Sequence, residues 1–148
     1  MNGIEITAVG NLTKDIELRY SSSGKAWATF SIAVNEISTV NNERRENVTY
    51  LDCKIFGEQA EYLVESAGKG NRVIIIGKMR DEKWNDQAGN ERRSKVLYVD
   101  EVGVSVRWAT AQLTKKVGSG NNTQPSQSVT NNASGFASEQ SSEENPFI

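Results

Sequence analysis

Between Ala26 and Val34 the chain alternates without a break. Ala26, Ala28, Phe30, Ile32 and Val34 fall on one parity, and Trp27, Thr29, Ser31 and Ala33 on the other. An extended strand turns successive side chains to opposite faces, so this series makes one continuous apolar face on a β-strand and on no helix. The same period returns in Val48 to Phe56, where Leu51, Cys53 and Ile55 form a compact apolar face and Tyr50, Asp52, Lys54 and Phe56 the opposite one. It returns again after Asn71: Val73, Ile75 and Met79 point one way, Arg72, Ile74, Ile76, Lys78 and Arg80 the other. Residues 4–9 and 95–106 add two more strand-like runs, and the turn-like Asp86–Gln87–Ala88–Gly89–Asn90 makes the last two strands a long hairpin. The polar stretch 35–47 reads as a loop or hairpin tip.

One segment breaks the pattern. Ala60, Leu63, Val64 and Ala67 follow the spacing of a helix face, with Gly68 placed for a left-handed C-terminal cap. Three strands, one short helix and two strands is the layout of an OB-fold, a five-stranded Greek-key barrel. An SH3-like barrel or a small sandwich accommodates the same strand count, and the position of the helix favours the OB-fold.

The composition changes after Val117. Residues 118–142 are mostly Gly, Ser, Asn, Gln and Thr, too poor in apolar side chains to offset the entropy of ordering, and are expected to be disordered. The sequence then closes on Glu143–Glu144–Asn145–Pro146–Phe147–Ile148, acids followed by an apolar tip, which fits a protein-docking peptide on a flexible tether. The expected organisation is a barrel domain over 1–117, a linker over 118–142 and a docking tip over 143–148.

Charge follows the same division. The chain holds 17 Lys and Arg and 19 Asp and Glu; three of the acids, Glu139, Glu143 and Glu144, lie beyond residue 118 with no base, which leaves 16 acids against all 17 bases in the body. A near-neutral body binds nucleic acid only through a local basic face.

Catalysis finds little to work with. The absence of histidine removes the commonest general base, the commonest zinc ligand and every Ser–His or Cys–His nucleophile pair. Cys53 is alone, so there is neither an internal disulfide nor a cysteine-based zinc site. Asp15/Glu17, Asp81/Glu82 and Asp100/Glu101 lie beside strands without a metal- or phosphate-binding motif and read as solvated charge. No catalytic residue, metal or cofactor is expected. No apolar run nears the roughly 20 residues of a membrane span, and the first residues, Met1–Asn2–Gly3–Ile4–Glu5, show no basic region leading into an apolar one, so a cytoplasmic protein is expected.

Binding is better supplied. Unpaired bases stack on aromatic faces while Lys and Arg track the phosphates. Tyr50, Lys54 and Phe56 share the face opposite the core on their strand, although Phe56 packed beneath the helix fits the pattern equally well. Arg72, Lys78 and Arg80 share a face on the next strand, and Lys83–Trp84 sets a cation beside an indole near the hairpin turn. The run Arg92–Arg93–Ser94–Lys95 reads as solvated charge.

The stretch Gly10–Asn11–Leu12–Thr13–Lys14–Asp15–Ile16–Glu17–Leu18–Arg19–Tyr20 resembles the opening of bacterial single-stranded DNA-binding proteins, where a G-N-L-x-x-D-P-E-x-R-Y pattern is typical; Ile16 replaces the proline. Ile55–Phe56–Gly57, Lys69–Gly70–Asn71–Arg72–Val73 and Lys83–Trp84–Asn85–Asp86–Gln87–Ala88–Gly89 match further family stretches in order, and Val99 to Ala111 looks like the actinobacterial branch. Together these stretches cover roughly residues 4–108. The resemblance implies an OB-fold homotetramer that wraps single-stranded DNA with little sequence preference in nucleoid-associated replication, recombination or repair. It implies Tyr50, Phe56 and Trp84 at the stacking positions, Arg19, Arg80 and Lys83 near phosphates, and replication and repair enzymes docking on Glu143, Glu144, Pro146, Phe147 and Ile148. Three departures point to weaker contacts: Ser38 where a tryptophan is frequent, Tyr50 where the best-known members have tryptophan, and Glu58 where lysine is common. They keep open an alternative, an OB-fold interaction adaptor with weak or lost DNA binding. A nuclease on the same fold would need a carboxylate cluster for which there is no motif.

Overall fold

The alternating segments pair into one curved sheet. The computed structural model describes residues 2–116. Its strands are β1 (Ile4–Leu12), β2 (Glu17–Tyr20), β3 (Ala26–Val40), β4 (Glu43–Phe56), β5 (Arg72–Asn85) and β6 (Glu91–Val104), with one helix, α1 (Glu58–Ser66), between β4 and β5. Neighbours run in the order β1-β5-β6-β4-β3-β2, and β1 also pairs with β3 through Asn11↔Ala33 and Leu12↔Ile32. That second pairing closes five strands into a barrel of the OB type, with β2 added at the edge of β3. Contacts group Met1–Gln112 into one unit and Leu113–Ile148 into another. Of the second unit only residues 113–116 are described, all exposed. The expected linker and the tip from Glu143 to Ile148 lie outside the described residues.

The core is the inner parity of the strands. Ala28, Phe30 and Ile32 of β3, Cys53 and Ile55 of β4, Val73 and Ile75 of β5 and Leu97 of β6 are at most 2% exposed. Burial pushes the Cys53 thiol up to about 12, with the neighbouring Asp52 charge adding to the effect. Ala60 and Leu63 of α1 close one end of the barrel, and Ile16, the residue that replaces the usual proline, is buried with them. Gly57 makes the turn from β4 into α1 at φ 83°, a left-handed conformation that glycine adopts without strain. The helix ends differently from its expectation. Ala67 is extended and donates to Leu63 O, Gly68 is not left-handed, and the left-handed residue is Gly70.

Two further differences concern the strands. The polar stretch 35–47 is a hairpin whose strands pair without a gap as far as Val40↔Glu43. Asn41 and Asn42 turn it with positive φ at both, the conformation a two-residue hairpin requires. Residues 17–20, not foreseen as a strand, pair with β3 along Glu17↔Thr29 to Tyr20↔Ala26, making six strands instead of five.

One irregularity interrupts the β5–β6 ladder. The register slips between Ile76↔Glu101 and Gly77↔Val99, leaving Asp100 as the extra residue of a β-bulge. Gln59 of α1 satisfies the disturbed backbone: its amide donates to Asp100 O at 3.2 Å and accepts from Val102 N at 3.1 Å. Gly77 lies here because a Cβ would come within 2.2 Å of the Tyr98 carbonyl oxygen.

Candidate nucleic-acid interface

Where the inner parity fills the core, the outer parity must carry whatever the barrel shows to solvent. On β3, β4 and β6 it carries rings. Trp27 stands opposite Phe56, and Lys54, two residues before Phe56 on the same face, stands opposite Tyr98. The Phe56 ring lies 6.5 Å from Trp27 at an interplanar angle of 19° and 5.9 Å from Tyr98 at 17°. Three nearly parallel rings thus form a row across three strands. Phe56 is 54% exposed, which settles its two sequence readings: it is a surface ring, not packed beneath the helix. A cleft of about 680 Å³ opens beside Trp27 and Phe56, with Ser21, Lys25, Lys54 and Glu61 on its walls.

Cations flank the row. The Arg19 guanidinium is 5.6 Å and Lys54 Nζ 6.0 Å from the Trp27 ring centre, and the Arg80 guanidinium is 4.8 Å from the Tyr98 ring centre. Lys78 is directly across from Tyr98 on β5. Glu82 enters between them: Lys54 Nζ is 2.7 Å from its Oε1, and the Tyr98 hydroxyl donates to the same oxygen. The Lys54 hydrogen bond, and then that of Tyr98, hold the Glu82 carboxyl below its ordinary value, while the hydrogen bond to Glu82 holds the Tyr98 phenol above its own.

Of the residues singled out in the sequence, Arg19, Lys54, Phe56, Lys78 and Arg80 therefore converge on one surface. The others do not join the row. Tyr50 lies six residues before Phe56 on the same face, 67% exposed and opposite Ala33. Trp84, 53% exposed, is out on the β5–β6 hairpin opposite Arg92. Lys83 is opposite Arg93, on the other parity from Trp84, and approaches Glu91 at 3.9 Å, so adjacency in sequence does not pair this cation with this indole. Arg72 sits at the far end of β5 with its guanidinium 4.7 Å from the Trp108 ring centre. The basic run is occupied within its own hairpin: Arg92 with Asp86 at 3.0 Å, Arg93 with Glu91 at 3.5 Å and Lys95 with Asp81 at 2.9 Å.

Three members of the site were missed by the sequence reading: Trp27, Tyr98 and Glu82. Trp27 carried a usable signal, a large ring on the parity opposite an apolar face. Tyr98 and Glu82 carried none: the β5–β6 hairpin brings them together, but the site forms only where the β4–β6 pairing sets Lys54 of a distant segment beside Tyr98.

Flat rings with cations at both ends can stack unpaired bases and hold the phosphates between them. The family described as single-strand binding protein matches residues 2–105. The chain belongs to that family. Its members bind and do not catalyse, in keeping with a surface of rings and cations. Among curated relatives, single-stranded DNA-binding protein 2 of Streptomyces coelicolor is 40% identical over 118 residues, which cover 78% of this chain and 59% of that protein. The single-stranded DNA-binding protein of Mycobacterium bovis is 37% identical over 136 residues, covering 88% of this chain and 83% of the relative. This is the actinobacterial likeness that Val99 to Ala111 implied. The solved structure of a small single-stranded DNA-binding protein from Streptomyces coelicolor matches with a TM-score of 0.60 at 20% identity, over 72% of this chain and 97% of that one, a likeness of fold. Among the described residues no helix is long and apolar enough to cross a membrane.

Proposed function

We propose that the chain binds single-stranded DNA with little sequence preference, the bases stacking on Trp27, Phe56 and Tyr98 and the phosphates running past Arg19, Lys54, Lys78 and Arg80. The observation that carries this is the parallel three-ring row, because aromatic faces take any base while duplex DNA has none free to offer. Tyr50 and Trp84 extend the path along the two hairpins, with Lys83 and Arg72 as outlying phosphate contacts. The sequence departures weaken individual contacts but spare the row, which favours DNA binding over an adaptor that has lost it.

The same reading covers assembly and partners. Ile74 and Ile76, 41% and 46% exposed on the outer face of β5, are the apolar surface that subunit contacts cover, in support of a homotetramer. We further propose a barrel domain over 1–117, a linker over 118–142 and a tip over 143–148 that recruits replication and repair enzymes. The deciding experiment is oligo(dT) against duplex DNA of equal length across a range of salt. Tighter binding of oligo(dT), weakening as salt rises, supports the reading. Equal affinity for both overturns it in favour of a generic basic surface.

A further inference from the structure

Lys54 and Tyr98 come from strands that pair in parallel, and their donors meet at one point. Lys54 Nζ lies 2.7 Å from Glu82 Oε1, and the Tyr98 hydroxyl donates to that same oxygen. The Lys54 and Glu82 side chains are 26% and 25% exposed, so the pair is partly shielded from water. The other described ion pairs, such as Lys95–Asp81 at 73% and 49%, are far more open on at least one side. An ammonium and a hydroxyl that converge on one anionic oxygen form an anion seat. This seat lies against the ring row: Tyr98 is one of the three rings, and Lys54 is 6.0 Å from another.

We propose that Glu82 is a resident stand-in for a DNA phosphate, filling the Lys54–Tyr98 seat in the free protein and yielding it to a phosphate oxygen when a single strand binds. The proposal rests on the single-stranded DNA reading of the ring row. Carboxylate and phosphate oxygens accept from the same donors, so the exchange conserves the two hydrogen bonds. While the seat is empty of DNA, Glu82 holds Tyr98 by its hydroxyl, and the ring stays nearly parallel to Phe56. The row is thereby formed before a base arrives. The exchange also has a cost that can be measured. Each phosphate that reaches Lys54 displaces a carboxylate, which then gathers its own counterion. The net release of ions is smaller than Lys54 would give if it stood free.

Glu82→Gln is the informative change, because the amide oxygen still accepts from Tyr98 while the charge is gone. Its oligo(dT) affinity at low salt is expected to rise by about two- to five-fold, the worth of one partly exposed ion pair. The slope of log affinity against log salt is expected to steepen by up to ~0.7, the single-strand value for one phosphate contact. Lys54→Met in the otherwise natural chain should change that slope by clearly less than ~0.7, and should cost more affinity in the Glu82→Gln background than alone. Thermal melting accompanies each variant, and the Lys54→Met arm stands whether or not Glu82→Gln folds. If the natural chain binds oligo(dT) and Glu82→Gln leaves affinity and slope unchanged, or lowers affinity, the stand-in is refuted and the DNA reading survives. The full loss of ~0.7 from Lys54→Met alone refutes it as well. A natural chain that does not bind oligo(dT) removes the DNA reading itself.

Discussion

Replacing Phe56 by alanine separates what the ring does for the fold from what it does for the site. Phe56 is 54% exposed, so less than half of its surface is buried by the protein. Full burial of a phenylalanine is worth about 1.5–3 kcal/mol, and the part buried here accounts for about half of that. The contacts with Trp27 and Tyr98, at 6.5 and 5.9 Å, are within the range of favourable ring pairs, each worth about 0.5–1.5 kcal/mol. Together these give a stability loss of about 2–4.5 kcal/mol, below the roughly 5–15 kcal/mol that holds a domain folded. Affinity falls for a different reason. The central platform of the row is gone, and one base stack is worth about 1–3 kcal/mol, roughly 5- to 150-fold in dissociation constant. The assays are urea unfolding and oligo(dT) titration of the same preparation. Phe56→Leu is the control: it keeps most of the apolar burial, has no flat face, and should hold stability better than it holds affinity. A folded Phe56→Ala protein with natural oligo(dT) affinity would refute the stacking argument. A stability loss well above the estimate would refute the placement of Phe56 at the surface.

Three other perturbations probe separate parts of the account. Gly77→Ala forces a Cβ to within 2.2 Å of the Tyr98 carbonyl at the bulge, and urea unfolding should show a loss of about 1–3 kcal/mol as the backbone shifts. Trp84→Ala removes an exposed hairpin ring, so titration should show an affinity loss of up to about 1–3 kcal/mol while the melting temperature barely moves. Glu82, Asp81 and Asp86 all titrate below their ordinary values: Glu82 through Lys54 and Tyr98, Asp81 through Lys95, and Asp86 through the Asn90 backbone and Arg92. Their stabilisation is therefore complete above the ordinary carboxylate values of 4.5 and 3.8 and is lost as pH falls through the lower folded ones. The urea midpoint should stay level toward those values and drop below them, and a midpoint that rises on acidification would contradict the ion pairs.

What the sequence reveals depends on how local the cause is. The core parity of β3, β4 and β5 is legible because alternation of side chains is a property of each strand alone, and Ile32, Ile55 and Ile75 are buried as their spacing requires. The outer half of the β3–β4 hairpin is not legible as strand. Glu36, Arg44 and Glu46 face water on both sides of the ribbon, so no apolar period marks them, and the pairing comes from the partner strand and the Asn41–Asn42 turn. β2 is too short to show a period: among Glu17, Leu18, Arg19 and Tyr20 only Leu18 is partly buried and packed against the core. In the site, Phe56 and Lys54 are legible because they share a strand face. Tyr98 and Glu82 are not, since they join Lys54 only through the parallel β4–β6 pairing, which links segments far apart in the chain.

The central claim is that the Trp27–Phe56–Tyr98 row is where bases stack. The chain has three tryptophans, so Trp84→Phe together with Trp108→Phe leaves Trp27 as the only indole reporter. Titrating this variant with oligo(dT) at low salt, while following DNA binding independently by the anisotropy of a labelled strand, reads the row directly. The account expects Trp27 emission to be quenched in step with binding and to recover as added salt releases the strand. Binding seen by anisotropy with Trp27 emission unchanged would place the bases elsewhere and contradict it.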